Sequence, residues 1–453
     1  MNIEKAESLV LELDEQKLNR LHWRMVITAG MGFFTDAYDL FVIGVVTTLL
    51  MPLWQLTSSQ IALLNSASLA SAAFGSMIFG WFADKWGRKK MYGVEVFILF
   101  IGALLSAFSP SFVWILISRI IVGIGIGGDY PTSAVVASEY ANRKNRGFLV
   151  LLVFAMQAVG LIVGPLFASL LMICHIPHPY VWRILLAFGA LPAASVFYLR
   201  RKIEETPRFL LSKQSPIQVS RVVSDLAGHK DEIMTTAVPM PEKLFSSKWL
   251  KCLLGTAGAW FLLDVALYGN GVSSVLIINA ISPHASLLKH ILLSALIFLC
   301  FAVPGYFFAA TYVDKIGRKS LQIIGFMIMT LCYLLIASIP SIRKTLLLFI
   351  GLFGTSFFFI NFGPNATTFL IPSEIYPTRI RARAHGLSAA IGKAGAFIGA
   401  FFLPLILKNM GLPFTMVFAA IASLFGIFFT FLVPEMKEIS LEAKFTQNTS
   451  RHQ

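Results

Sequence analysis

Charge is scarce in this chain. Only 13% of its 453 residues are Asp, Glu, Lys or Arg, against about a quarter in an ordinary soluble domain, which excludes a typical cytosolic enzyme. Cysteine is scarcer: Cys174, Cys252, Cys300 and Cys332 lie in or beside apolar runs without CxxC spacing, so neither a disulfide framework nor a zinc site is expected. Acids are also short, 23 against 37 basic residues, leaving a formal charge of +14. Apolar surface, in contrast, is abundant. Hydrophobic residues make up 57% of the chain and Phe alone occurs 40 times, far too much to leave solvated in a disordered polymer. Long runs such as Ile291 to Val303 lack period-2 alternation, which excludes a closed β-barrel. A bilayer core needs about 20 apolar residues per helix, so the chain has room for roughly twelve spans. The expected fold class is therefore an all-α polytopic membrane protein.

The positive charge invites a nucleic-acid reading until its placement is examined. Basic residues crowd into short gaps between apolar runs: Lys85, Arg88, Lys89 and Lys90; Arg143, Lys144 and Arg146; Arg200, Arg201 and Lys202; Lys315, Arg318 and Lys319; Arg379, Arg381 and Arg383. Alternate gaps are nearly bare. This positive-inside pattern places the basic gaps and both termini in the cytoplasm, and no nucleic-acid partner is expected. The excess charge reports topology, with contact to anionic membrane lipids as a secondary role. The first apolar run is too long for a signal sequence, so the N-terminus reads as a retained tail.

Apolar segments fall near 25–50, 61–83, 92–108, 112–137, 147–173, 180–200, 248–280, 289–313, 320–340, 344–372, 384–408 and 413–433. The division is then a cytoplasmic tail (1–24), a six-helix bundle (25–200), a polar central loop (201–247), a second six-helix bundle (248–433) and a C-terminal tail (434–453). A repeat supports it: Asp84-Lys-Trp-Gly87-Arg88-Lys recurs as Asp314-Lys-Ile-Gly317-Arg318-Lys, and Ser138-Glu139 recurs as Ser373-Glu374, in equivalent places of the two halves. Copies with six spans each share one orientation and leave a cavity between them at mid-membrane.

Inside the apolar segments stand Asp36, Asp39, Arg119, Asp129, Asp264 and Lys393, with Glu95 near the start of the third span. An ionised side chain at a helix centre costs about 2.5–3.5 kcal/mol even on the lower scales. Mutual pairing between helices is one explanation, and it suits Arg119 and Glu95 best. Four aspartates against two cations leave an excess, however, and buried acids without a cation can load and release protons near neutral pH. Asp36 and Asp39 share a helix face at i, i+3. Trp260, Asp264 and Tyr268, at i, i+4, i+8, present an indole N–H, a carboxyl and a phenol on one face. Asn361 and Asn365 flank Gly363-Pro364, which should interrupt the tenth span and free backbone groups at membrane depth. Lys393 is the cation that a buried anion would need; snorkelling to an interface is its alternative. Gly123-x-Gly125-x-x-Gly128 fits a dinucleotide fingerprint formally, but no strand precedes it, and close helix packing explains it better. His175 and His178 lack metal-ligating partners, and no nucleophile stands beside a base, so no metal, cofactor or enzymatic activity is expected.

Gly80-x-x-x-Asp84-Lys-x-Gly-Arg-Lys resembles the cytoplasmic loop motif of the major facilitator superfamily, and Glu205-Thr-Pro-Arg-Phe-Leu-Leu, Pro434-Glu435 and Ser440-Leu-Glu442 resemble marks of its sugar-porter branch. A narrower resemblance is to the phosphate:proton symporters. It rests on Thr35-Asp36-Ala-Tyr-Asp39-Leu-Phe, Gly123-Ile-Gly-Ile-Gly-Gly-Asp129-Tyr130-Pro-Thr-Ser, Gln157, Trp260 through Gly269, Asn361 through Asn365, and Gly392-Lys393. The resemblance implies a twelve-helix major facilitator fold in two six-helix bundles. It also implies phosphate ligands Tyr130, Gln157, Trp260, Asp264, Tyr268, Asn365 and Lys393, and a proton path through Asp36, Asp39 and Asp129. A gate would then be built from Asp84, Gly87, Arg88, Glu139 and their counterparts Asp314, Gly317, Arg318 and Glu374. The expected function is proton-coupled uptake of inorganic phosphate by alternating access in the plasma (cell inner) membrane, by a monomer. A proton-coupled carrier of a sugar, polyol or organic acid is the alternative on the same scaffold, and a non-translocating nutrient sensor or a membrane-embedded enzyme belongs to other classes.

Overall fold

A computed structural model describes residues 14–15, 17–201, 203–212, 244–439 and 441. Most of the expected N-terminal tail, central loop and C-terminal tail, with Ser440 and Glu442, lies outside the described residues. Among those described, eleven helices are long and apolar enough to cross a membrane. They are α1 (Arg20–Trp54), α2 (Ser58–Trp86), α3 (Val94–Ala107, preceded by a turn at Arg88–Met91), α4 (Phe112–Tyr140), α5 (Arg146–Ile173) and α6 (His178–Arg200). After the central loop come α7 (Ser247–Val272), α8 (Leu287–Ile316), α9 (Arg318–Ser338), α10 (Leu346–Ile375) and the helix Arg381–Thr430. That last helix holds 50 residues and is broken at Gly411, whose φ of 81° favours glycine. It therefore makes two crossings, α11 (381–410) and α12 (411–430), and the expected twelve are kept.

Local chemistry explains the other differences from the apolar runs. Asn19 accepts hydrogen bonds from the N–H groups of Leu21 and His22, so capping starts α1 at Arg20, ahead of the apolar run. The seventh segment ends at Ser273, and a separate short helix, Ser274–Ile281, follows. In α8 a π-helical turn at Phe298–Ala302 precedes Pro304, which brings no N–H of its own. As expected, α10 breaks at Gly363 ahead of Pro364, dividing it into Leu346–Phe362 and Pro364–Ile375.

Glycines set how closely the helices approach. A methyl group on Gly127 of α4 would strike the Ala72 carbonyl of α2, and one on Gly125 would lie 2.6 Å from the Glu95 carbonyl of α3. Ser76 ties the same seam by donating to the Gly127 carbonyl at 2.8 Å. The glycine series is thus a packing surface. Between the halves, α2 runs along α11 and α5 along α8. At the end carrying the basic loops, the Cα of Gly386 would meet a methyl on Gly80 at 3.1 Å. At the opposite end, Lys408 donates to Ser58 at 2.7 Å and the Gly44 backbone abuts the Val272 carbonyl. The halves touch at both ends and close over what lies between.

Candidate functional site

At the centre, Lys393 of α11 donates to Asp264 Oδ2 at 3.1 Å and to the Tyr268 hydroxyl at 3.0 Å, both on α7. Its ammonium also lies 4.2 Å from the centre of the Tyr130 ring and 4.3 Å from that of Tyr268, a cation held between two π faces. Lysine and aspartate are each 1% exposed, so snorkelling does not apply. The Tyr130 and Tyr268 hydroxyls are 3.2 Å apart. Gln157 of α5 donates from Nε2 to the Tyr130 hydroxyl at 3.1 Å and accepts at Oε1 from Tyr306 of α8 at 3.0 Å. Asn365, just past the break in α10, donates to the Tyr306 hydroxyl at 2.8 Å and to Asn361 Oδ1 at 2.7 Å. Trp260 closes the ring, its indole 6.0 Å from the Tyr130 ring and flat against Gly392, where a methyl would stand 2.6 Å from Cδ1. All of the expected cargo ligands thus meet in one buried cluster drawn from both halves.

Aromatic layers cover the cluster on both sides. Toward the basic end, Phe154 and Phe369 stack at 4.4 Å, with Phe33 5.0 Å from Phe369 and 5.4 Å from Tyr130. Toward the other end, Phe41 stacks on Tyr268 at 5.4 Å and meets Phe298 at 6.2 Å.

The acids of the first half are arranged differently from the expectation that four aspartates share two cations. Arg200, placed by sequence in a cytoplasmic gap, turns inward from the end of α6 with its side chain fully buried. It donates to both oxygens of Asp129 at 2.7 and 2.8 Å and to Glu95 at 2.8 Å. Ser133 donates to the same Asp129. Asp39 pairs with Arg119 at 3.5 Å, and Arg119 also donates to the Asp39 carbonyl at 2.7 Å. Asp36 is left over: it is buried, its Oδ2 has no hydrogen-bond partner, and no basic residue pairs with it among the described residues. An acid surplus persists: Asp36 stands without a cation, and Asp129 and Glu95 share the single guanidinium of Arg200.

At the basic end the sequence repeat becomes a structural one. Asp84 accepts from the N–H groups of Ala382 and Arg383 at the start of α11, at 3.3 and 2.8 Å. Asp314 likewise accepts from Phe148 N–H at the start of α5, at 2.8 Å, and each acid meets the positive end of a helix in the opposite half. Arg88 bridges Asp84 at 3.2 Å and Glu139 at 3.1 Å; Arg318 bridges Asp314 at 2.8 Å and Glu374 at 2.9 Å. Across the halves, Arg381 pairs with Glu139 at 3.0 Å and Arg146 with Glu374 at 2.9 Å. Glu205 accepts the backbone N–H groups of Arg88 and Lys89 at 3.1 and 3.2 Å; Glu435 does the same for Arg318 and Lys319 at 3.1 and 2.9 Å. The motif glycines, Gly87 with φ 106° and Gly317 with φ 100°, leave no room for a side chain against these glutamates. Burial pushes the Glu205 carboxyl above the usual carboxylate range.

The family model "Sugar (and other) transporter" matches residues 25–445. The chain belongs to that transporter family. Relatives include the "Probable inorganic phosphate transporter 1-3" of Arabidopsis thaliana, 37% identical over 95% of this chain and 96% of that one. Another is the "Low affinity inorganic phosphate transporter 1" of Petunia hybrida, 35% identical over 98% and 96% respectively. Among solved structures, the major facilitator superfamily proton:xylose symporter XylE bound to 6-bromo-6-deoxy-D-glucose superposes with a TM-score of 0.77 at 19% identity, covering 94% of this chain and 99% of that one. Its inward-open form from E. coli gives 0.65 at 21% identity over 93% and 98%. The fold is that of the major facilitator superfamily.

Several residues of this transporter's core escaped the sequence reading. Tyr306, the hydroxyl between Gln157 and Asn365, was legible as a phenol inside an apolar run but lacked a helical partner. Arg200 was counted with its basic neighbours Arg201 and Lys202. Glu205 and Glu435 stand 230 residues apart, the offset of Asp84 and Asp314, and Arg146 and Arg381 stand 235 apart, the offset of Glu139 and Glu374, so the register of the repeat was the signal that could have found them. His385, buried on α11 with Nε2 3.0 Å from the Phe369 carbonyl, was not singled out.

Proposed function

We propose that this transporter carries inorganic phosphate inward together with protons across the plasma membrane, as a lipid-embedded monomer with both termini and all basic loops in the cytoplasm. The observation that carries the reading is Lys393, a buried cation held against Asp264 and the tyrosines. Around that pair, Tyr130, Tyr268, Gln157, Asn365 and Trp260 offer hydroxyl, amide or indole donors to an anion. A neutral sugar has no use for that cation. The names of the relatives agree with this cargo, and proton symport agrees with the neighbouring fold.

In this reading the bundles 25–200 and 248–433 rock about the cluster, joined by the loop 201–247 and flanked by the tails 1–24 and 434–453. Phosphate entering from outside draws Lys393 Nζ away from Asp264 and takes donors from Tyr130, Gln157, Trp260, Tyr268 and Asn365. Asp264 then accepts a hydrogen bond from a P–OH group, which sulfate lacks at neutral pH. A proton on Asp36 offsets the charge brought in, with Asp39 and Asp129 handing protons along the first bundle as their arginine pairs loosen. Inward opening requires Asp84 to leave α11, Asp314 to leave α5, and the pairs Arg381–Glu139 and Arg146–Glu374 to part. Loss of the proton to the cytoplasm restores repulsion between acid and anion, and the cargo leaves.

Labelled-phosphate uptake into proteoliposomes, with and without an inward proton gradient, tests the reading. Wild type should accumulate phosphate only with the gradient, and Asp264→Asn should fail. Equal uptake in both conditions removes the coupling, and uptake of a labelled sugar in place of phosphate removes the cargo.

A further inference from the structure

His385 lies on α11 between the gate and the cargo cluster, four residues from Arg381 and eight from Lys393. At 1.5 Å per residue it stands about 6 Å from the first and about 12 Å from the second along the axis. It is 0% exposed and packs edge-on against Trp260 at 5.5 Å and Phe369 at 5.4 Å, the first a cargo ligand and the second part of the layer beneath. Its Nε2 lies 3.0 Å from the Phe369 carbonyl. A carbonyl can only accept, so Nε2 carries the hydrogen, and the neutral ring presents a lone pair at Nδ1. That Nδ1 is buried and has no hydrogen-bond partner among the described residues. A ring that served only as packing would leave a bare polar atom at a net cost that Phe or Leu would avoid.

We propose that His385 forms a second oxyanion site, occupied as the basic end opens, in which Nδ1 accepts a hydrogen bond from a proton-bearing phosphate on its way out. The inference deepens the phosphate reading and rests on it. Three groups then line one helix from the centre to the mouth: Lys393, His385 and Arg381. Arg381 is bound to Glu139 while the gate is shut and turns into an anion ligand once that pair parts. The Nε2–H tether to the Phe369 backbone carbonyl on α10 keeps the imidazole oriented while the Phe369 ring swings aside. A histidine acceptor selects an oxyanion that still bears a hydrogen, as Asp264 does above it.

Two near-isosteric variants separate the proposed site from simple packing. His385→Gln keeps a donor near Nε2 for the Phe369 carbonyl and removes the Nδ1 acceptor; His385→Asn puts an amide oxygen near Nδ1 and gives up the tether. Maximal labelled-phosphate uptake in proteoliposomes is expected to fall about tenfold in His385→Gln, the scale of one lost hydrogen bond. Phosphate binding to the same detergent-solubilised protein should stay within about twofold of wild type, which reports an intact central site independently of the rate. His385→Asn should recover most of the lost rate. A Gln variant as fast as wild type, or an Asn variant slower than Gln, overturns the second site alone. A wild type that binds and moves no phosphate overturns the phosphate reading and this site with it.

Discussion

Lys393 and Asp264 form a buried ion pair within the second bundle, while the ring packed on the other side of the lysine, Tyr130, comes from the first. The cation therefore has a partner to release on its own side and an aromatic face to keep across the interface. An anion arriving between the bundles competes with Asp264 for Lys393 without having to break the contact that joins the halves.

Removing the lysine should harm both fold and function. Lys393→Ala leaves Asp264 buried without its counter-charge, a loss of about 3–5 kcal/mol when one member of such a pair is deleted. The melting temperature of the purified protein should fall accordingly and phosphate uptake should vanish. Lys393→Ala combined with Asp264→Asn should regain most of the thermal stability and none of the uptake. A double variant that transports would show that the pair is structural.

Asp36 pairs with no basic residue among the described residues, so Asp36→Asn should leave the melting temperature nearly unchanged while uncoupling transport. Wild-type uptake should rise as the outside is acidified, because a protonated carboxyl favours loading. Asp36→Asn should lose that dependence and reach equilibrium without accumulation, measured as uptake at a series of external pH values with the internal pH fixed. Undiminished stimulation by acid would assign the proton to another group.

The two gate loops are equivalent, and their variants should be too. Asp84→Ala and Asp314→Ala each remove a carboxylate from the start of a helix in the opposite bundle, together with charged hydrogen bonds worth about 1.5–3 kcal/mol each. Each should shift the protein toward the form open at its basic end. In a background without the natural cysteines, the labelling rate of Ala389→Cys, one turn from His385, should rise at least about tenfold in both cases. An effect from one loop alone would contradict their equivalence.

Gly127→Val tests the glycine series as packing. A side chain there collides with the Ala72 carbonyl, and overpacking of this kind costs about 1–3 kcal/mol. Gly351, by comparison, has nothing near its missing side chain, so Gly351→Ala should be neutral or mildly stabilising. Equal melting temperatures for the two variants would remove the packing explanation.

The span order, the break at Gly363-Pro364 and the stripe of Trp260, Asp264 and Tyr268 were legible because each is encoded within one helix, where spacing alone fixes geometry. Pairings between helices were not. Arg200 belongs to a run of three basic residues, and only the bend of its side chain into the bundle makes it the partner of Asp129 and Glu95. The excess of acids survived in kind, divided between Asp36 and the two carboxyls that share Arg200. Gly411 shows the converse: it breaks the helix in the gap expected between the segments 384–408 and 413–433, although the helix is otherwise continuous across it.

The lower piece of α10, Pro364–Ile375, is a 12-residue rod with Gly363 as its pivot. Asn365 at one end touches the cargo cluster, and Glu374 at the other holds Arg146 and Arg318. Nine residues of helix put the two about 13 Å apart on one stiff lever. A tilt forced on the amide is delivered to the carboxylate with no relay of side chains in between, so the lock at the mouth feels directly whether the seat at the centre is taken.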